Sequence, residues 1–145
     1  MIALLDVNVL VALFDSAHIH HDVAHSWFGA AQTHGWATCA LTENAFVRVL
    51  SNPAYPGSRT TIDDAAGRLR TFCAARDHVF WTESVSIREQ ERFLWNHVQG
   101  HRQLTDVYLL ALAVANGGRL ATFDSSISIQ AVSGSARENL ETLTT

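Results

Sequence analysis

Lysine is missing from this chain: all ten basic residues are arginine, against fourteen acids, for a formal net charge of -4. That balance excludes a protein that holds nucleic acid through a broad basic surface. It does not exclude one in which bound cations offset phosphate charge. Cysteine is nearly as scarce. Cys39 and Cys73 lie in apolar or helical stretches and form neither a disulfide scaffold nor a CxxC site, so both read as free thiols. No run reaches the ~18 apolar residues that span a membrane. The opening MIALLDVNVLVALFD has no positive n-region and carries Asp6 in its middle, unlike a signal peptide. There is no internal repeat and no low-complexity tract. The expectation is a soluble, cytoplasmic protein.

What the chain does have is apolar residues, 48% of 145, enough for the core of one domain spanning residues 1–145. Ile2 to Leu5 reads as a short buried strand ending at Asp6, followed by a helix over Val7 to Phe14. His20 to Ala31 has helical spacing and stops at Thr33-His34-Gly35. Trp36 to Leu41 reads as a second strand, with Thr42 capping a helix from Glu43 to Leu50. Asn52 to Ser58 is a loop that holds both prolines. Thr61 caps a helix to about Arg76, His78 to Thr82 is a strand, and Ser86 to Val98 is predicted helical. Thr105 is expected to cap an apolar helix, Asp106 to Ala115, which Asn116-Gly117-Gly118 ends. Arg119 to Phe123 is a strand ending in Asp124, and Asn139 to Leu143 a last edge strand. Alternating strands and helices predict an α/β three-layer sandwich with a mainly parallel central sheet.

A parallel sheet puts the C-terminal ends of its strands on one edge, where ligands bind. Asp6, Glu43, Asp106 and Asp124 all stand at junctions facing that edge, separated by 37, 63 and 18 residues. Each alone is explained as well by helix capping or by a helix dipole. Together, four carboxylates repel and call for a compensating charge. An all-oxygen set suits Mg²⁺ or Mn²⁺, and a carboxylate-held metal pair activates water against a phosphodiester. Asn8 and Thr122 are candidates to orient carboxylates or water, with ordinary capping as the other reading.

These stretches resemble the PIN-domain nucleases, and within them the VapC-type toxins of bacterial toxin–antitoxin modules. The matching segments are LLDVNVLVALFD at 4–15, HHDVAHSWF at 20–28, TENAFVRVLSNP at 42–53 and LTDVYLLALAVANGGRLATFD at 104–124. The resemblance implies a single PIN-like nuclease domain and Mg²⁺- or Mn²⁺-dependent cleavage of RNA. It makes Asp6, Glu43, Asp106 and Asp124 the acidic, metal-binding set. It further implies a homodimer and a small inhibitory antitoxin that reaches the active site. Where relatives carry a further acid after Asp124, this chain has Ser125-Ser126.

Other residues have competing readings. His18, His20, His21 and His25 cluster, and His21 and His25 share a helix face. No cysteine or glutamate completes a site there, and the resemblance places the segment away from the acids. Trp27 and Trp36 read as core, while Trp95 is open to a base-stacking role. Arg48, Arg59, Arg68, Arg70 and Arg102 are candidates for phosphate contacts. Two rival classes are an Asp-dependent phosphotransfer protein built on Asp6 and a non-catalytic α/β binding module. The first normally needs a lysine, which the chain lacks; the intact acidic set argues against the second.

Overall fold

A computed structural model of the chain describes residues 1–57, 59–75 and 77–144. Its elements run β1 (Ala3–Leu5), α1 (Val7–Phe14), α2 (His21–Ala31), β2 (Trp36–Cys39), α3 (Ala40–Ser51), α4 (Ile62–Cys73), β3 (His78–Trp81), α5 (Leu104–Ala115), β4 (Arg119–Thr122) and β5 (Leu140–Thr142). The strands form one sheet in the order β3-β2-β1-β4-β5, and every pairing is parallel. The expected sandwich is therefore present, with a sheet that is wholly parallel.

Strand alternation divides the core in two. Leu4, Ala37, Cys39 and Leu120 point to one face, where α5 lays down Val107, Leu110 and Ala111. Ala3, Leu5, Trp36 and Ala121 point to the other, against Val9 and Leu10 of α1, Phe28 of α2, Phe46 of α3 and Leu69 of α4. Helix α5 is apolar almost all round because it lies between the sheet and a covering segment.

That covering segment is where the expectation fails. Ser86 to Val98 is not a helix; it is a run of turns with one short 3₁₀ turn at Trp95–His97. Phe93 makes an antiparallel bridge to Val132, and Leu94 N–H donates to the Ala131 carbonyl at 2.9 Å. Burying Val85 and Phe93 across α5 fixes the chain as an extended strap, and this tertiary pull overrides helix propensity.

Two helix starts also differ. Helix α3 begins at Ala40, and Thr42 lies inside its first turn, its hydroxyl joined to both the N–H and the carbonyl of Cys39 at 3.1 Å. Helix α5 begins at Leu104, so Thr105 is likewise within the turn. Thr61 does cap α4, accepting from Asp64 N–H at 3.0 Å. The helix stops at Cys73; Arg76, its expected end, and Ser58, the end of the proline loop, lie outside the described residues.

Gly117 ends α5 with φ +68°, and Gly118 then passes so close to β1 that a Cβ there would lie 2.5 Å from the Ile2 carbonyl oxygen and 2.6 Å from the Trp81 ring. Gly118→Ala is therefore expected to destabilise the fold by about 1–3 kcal/mol through overpacking. Gly67→Ala, in α4 with only the far end of Arg70 near its would-be Cβ, is expected to stabilise by about 0.4–1 kcal/mol. Urea denaturation of both variants reads the contrast.

Candidate active site

The C-terminal edge of the sheet is organised by one buried hydroxyl. Asp6 ends β1 and caps α1; its Oδ1 accepts from Val7 N–H at 2.7 Å, and its Oδ2 accepts from the Thr122 hydroxyl at 2.7 Å. The same Thr122 oxygen accepts from Asn8 Nδ2 at 3.3 Å and from Asp124 N–H at 3.0 Å. Asn8 completes the lock by accepting from Phe123 N–H at 3.3 Å. Thr122 and Asn8 thus tie the ends of β1 and β4 together, and Asp6 is only 3% exposed.

Asp106 reaches this group from the first turn of α5. Burial, then the charges of Asp6 and Asp124 and a hydrogen bond with the Asp124 carboxyl, push Asp106 up to about 7. Asp6 is raised as well, by burial, against the lowering effect of its Thr122 and Val7 hydrogen bonds. Asp124 goes the other way. Its Oδ1 accepts from the Ser126 hydroxyl at 2.7 Å and from Ser126 N–H at 2.8 Å, and these hold it ionised. Ser126 is itself fixed by Gln103, whose amide donates to its carbonyl at 3.0 Å and its hydroxyl at 3.2 Å. Three aspartates from distant parts of the chain thus meet at one edge, and burial of Asp106, reinforced by the charges of Asp6 and Asp124, favours its protonated form.

Glu43 keeps different company. It occupies the first turn of α3, and its Oε2 accepts from the Thr38 hydroxyl at 2.6 Å. That hydroxyl also meets His78 Nε2 at 2.8 Å, and the Glu43 charge is felt by Cys73 and His78. Of the four acids marked by the sequence, Asp6, Asp106 and Asp124 lie close enough to act on one another's ionisation, while Glu43 belongs to a polar cluster with Thr38, Cys73 and His78.

The other candidates fall out plainly. His20 stacks on Phe123 at 4.6 Å between ring centroids, which sets the start of the histidine-bearing helix beside the end of β4. His21 is held by the Ala12 carbonyl at 2.8 Å and lies 5.4 Å from His25, ring to ring. Trp36 is core, and half-buried Trp27 donates to Glu141 at 2.8 Å. Trp95 is 43% exposed and stacked on Phe93. Arg68 lies over the Phe14 ring. Sequence reasoning missed Gln103, Ser126 and Glu83. Glu83 stands two residues after β3, as Asp124 does after β4, and accepts from Leu41 N–H at 2.7 Å in the first turn of α3. An acid just past a strand end was the available signal.

The PIN domain profile matches residues 3–132. The chain belongs to the PIN-domain family. Within it, the chain is 46% identical over 143 residues to Ribonuclease VapC44 of Mycobacterium tuberculosis, covering 99% of this chain and all of that one. Ribonuclease VapC39 of the same organism is 40% identical over 134 residues, covering 92% of this chain and 96% of its own. The crystal structure of M. tuberculosis VapC20, described as a sarcin–ricin loop cleaving toxin, superposes with a TM-score of 0.60 at 15% identity, over 85% of this chain and 90% of that one. That last likeness concerns the fold. The acids at the C-terminal edge of this PIN domain lie within the matched span.

Two outcomes follow from the geometry. Thr122→Val keeps the shape but removes the hydroxyl shared by Asp6, Asn8 and Asp124, and is expected to cost about 1–3 kcal/mol in urea denaturation. Asp106→Asn is expected to stabilise the metal-free protein in a pH-dependent way. A carboxyl whose folded pKa is raised contributes stability below its unfolded value of 3.8, and that contribution is lost as pH rises through about 7. Thermal melts in chelator should show variant and wild type nearly equal at pH 4, with the variant gaining up to about pH 7 and holding its lead above.

Proposed function

We propose that this chain, taken as one PIN-like nuclease domain over residues 1–145, is a metal-dependent endoribonuclease and the toxin of a toxin–antitoxin pair. The observation that carries this reading is the convergence of Asp6, Asp106 and Asp124 at one sheet edge, where burial first and its neighbours' charges second favour a proton on Asp106. An all-carboxylate donor set of this kind fits a hard divalent cation, Mg²⁺ or Mn²⁺, which would replace that proton as the neutralising charge. The VapC relatives, named ribonucleases, supply the substrate class.

When bound, such a cation lowers the pKa of water and stabilises the leaving oxygen of a phosphodiester. The chain's own residues do the rest. Asp6, Asp106 and Asp124 would hold the cation. Asp6 is aimed by Thr122 and Val7, and Asp124 by Ser126 with its second oxygen left for the site. Glu43 is the fourth acid of the reading and joins the set when its carboxylate leaves Thr38. Arginines alone, Arg102 among them, are available to meet RNA phosphates, since the chain has no lysine. With net charge -4, RNA affinity then depends on local arginines and bound cations more than on overall attraction.

The same reading includes a homodimer, a cytoplasmic location and an antitoxin that sets an arginine or lysine against the aspartates. No helix among the described residues is long and apolar enough to cross a membrane.

Cleavage of RNA is expected to require Mg²⁺ or Mn²⁺ and to stop in excess chelator. Asp106→Asn should lose at least about 100-fold, beyond the ~10–100-fold typical of losing a group that merely supports a ligand, while melting no lower than wild type. A mock purification from cells that lack the gene serves as the blank for contaminating nuclease. Full cleavage in chelator, or by Asp106→Asn, would refute the reading. Light scattering at ~10–100 μM, a range bracketing micromolar association, checks the dimer.

A further inference from the structure

We propose that Glu43, Cys73 and His78 form a second metal site, suited to Zn²⁺ and separate from the three aspartates. One ligand atom from each of these side chains lies within 4.8 Å of the other two. They come from three different elements: the first turn of α3, the last residue of α4 and the first residue of β3. All three are partly buried, so the site is sheltered and still reachable from solvent.

The chemistry of the donors sets this site apart from the aspartate site. A thiolate, an imidazole and a carboxylate suit zinc, whereas Mg²⁺ prefers oxygen ligands throughout. The atoms must draw in by roughly an ångström to sit ~2.0–2.3 Å from one ion, a movement within reach of side-chain rotation on fixed backbone. As the sulfur–metal bond forms, the Cys73 thiol releases its proton to solvent. Water completes the tetrahedron.

Thr38 positions the ligands. It is fully buried in β2, and its hydroxyl touches Glu43 Oε2 at 2.6 Å and His78 Nε2 at 2.8 Å. The Trp36 ring, 4.5 Å from that of His78, supports the imidazole from the side. A hydroxyl that fixes the direction of two ligands is the usual support of a metal site.

The consequence for function rests on the ribonuclease reading. A Glu43 carboxylate bound to zinc cannot join Asp6, Asp106 and Asp124. Zinc at this site therefore inhibits Mg²⁺-dependent cleavage by withdrawing one acid, without competing for the aspartates.

Co²⁺, a spectroscopic substitute for Zn²⁺, tests the site on the full chain in a non-thiol reductant. Wild type should bind one equivalent with the visible bands of a tetrahedral ion and a near-ultraviolet sulfur-to-cobalt charge-transfer band, both erased by Zn²⁺. Cys73→Ser should lose the charge-transfer band while melting like wild type. Thr38→Val, which keeps every ligand, should weaken binding by about 10–100-fold. A wild type with no charge-transfer band overturns the proposal. So does a band that survives in Cys73→Ser, which would place the metal on Cys39. These spectra need no RNA, so they decide the site even if the chain cleaves nothing. In the cleavage assay, Zn²⁺ should inhibit wild type and spare Cys73→Ser, whose activity with Mg²⁺ alone is unchanged. Equal inhibition of both would place the inhibitory zinc on the aspartates and overturn the withdrawal of Glu43.

Discussion

The hydroxyl of Thr122 is the point at which the fold and the site become one object. It donates to Asp6 and accepts from Asn8 and from the backbone of Asp124, joining residues 6 and 8 to residues 122 and 124. A serine in its place would keep the oxygen but give up the β-branched packing of a sheet interior. The carboxylate of Asp6 survives burial because two donors hold it, and the C-terminal loop of β4 is shaped because Thr122 holds the Asp124 amide. Without that oxygen the β1–β4 pairing would continue, but the carboxylates beyond it would have no fixed relation to one another.

Around this point the charges are unevenly disposed. Ser126 keeps Asp124 ionised, and Gln103 keeps Ser126 in place, so one acid is stabilised by dedicated donors. Asp106 has no such donors among the described residues, and burial together with the charges of its neighbours raises its pKa. Ser126 also gives a use to the Ser125-Ser126 pair that follows Asp124. The position is used to orient Asp124 and adds no charge.

Much of this was legible in the sequence, for identifiable reasons. The short apolar runs at Ala3–Leu5 and Arg119–Thr122 end in acids because a buried strand must meet polar chemistry where it leaves the core. Gly117 and Gly118 announce the end of α5 because one adopts positive φ and the other must pass Ile2 without a side chain. The strap over residues 86–98 was not legible. Its conformation is set by where Phe93 finds cover against Val132, and local propensity does not encode that pairing. Glu43 shows a finer limit. Its place in α3 follows from the sequence, but whether its carboxylate turns to the aspartates or to Thr38 depends on a hydroxyl in the strand before it. Helix caps misled for a similar reason: Thr42 and Thr105 look like caps yet lie inside their first turns.

The strand order β3-β2-β1-β4-β5 places the first strand made in the centre of the sheet. One side of β1 finds β2 early, but its other side waits for β4, more than a hundred residues later. Such long-range pairing is slow to form and cannot begin until the chain has been made that far. Asp6 is synthesised 116 residues before its partner Thr122, so a growing polypeptide holds only fragments of the acidic cluster. The acidic edge of the sheet therefore takes its final arrangement only once the chain beyond β4 has been made.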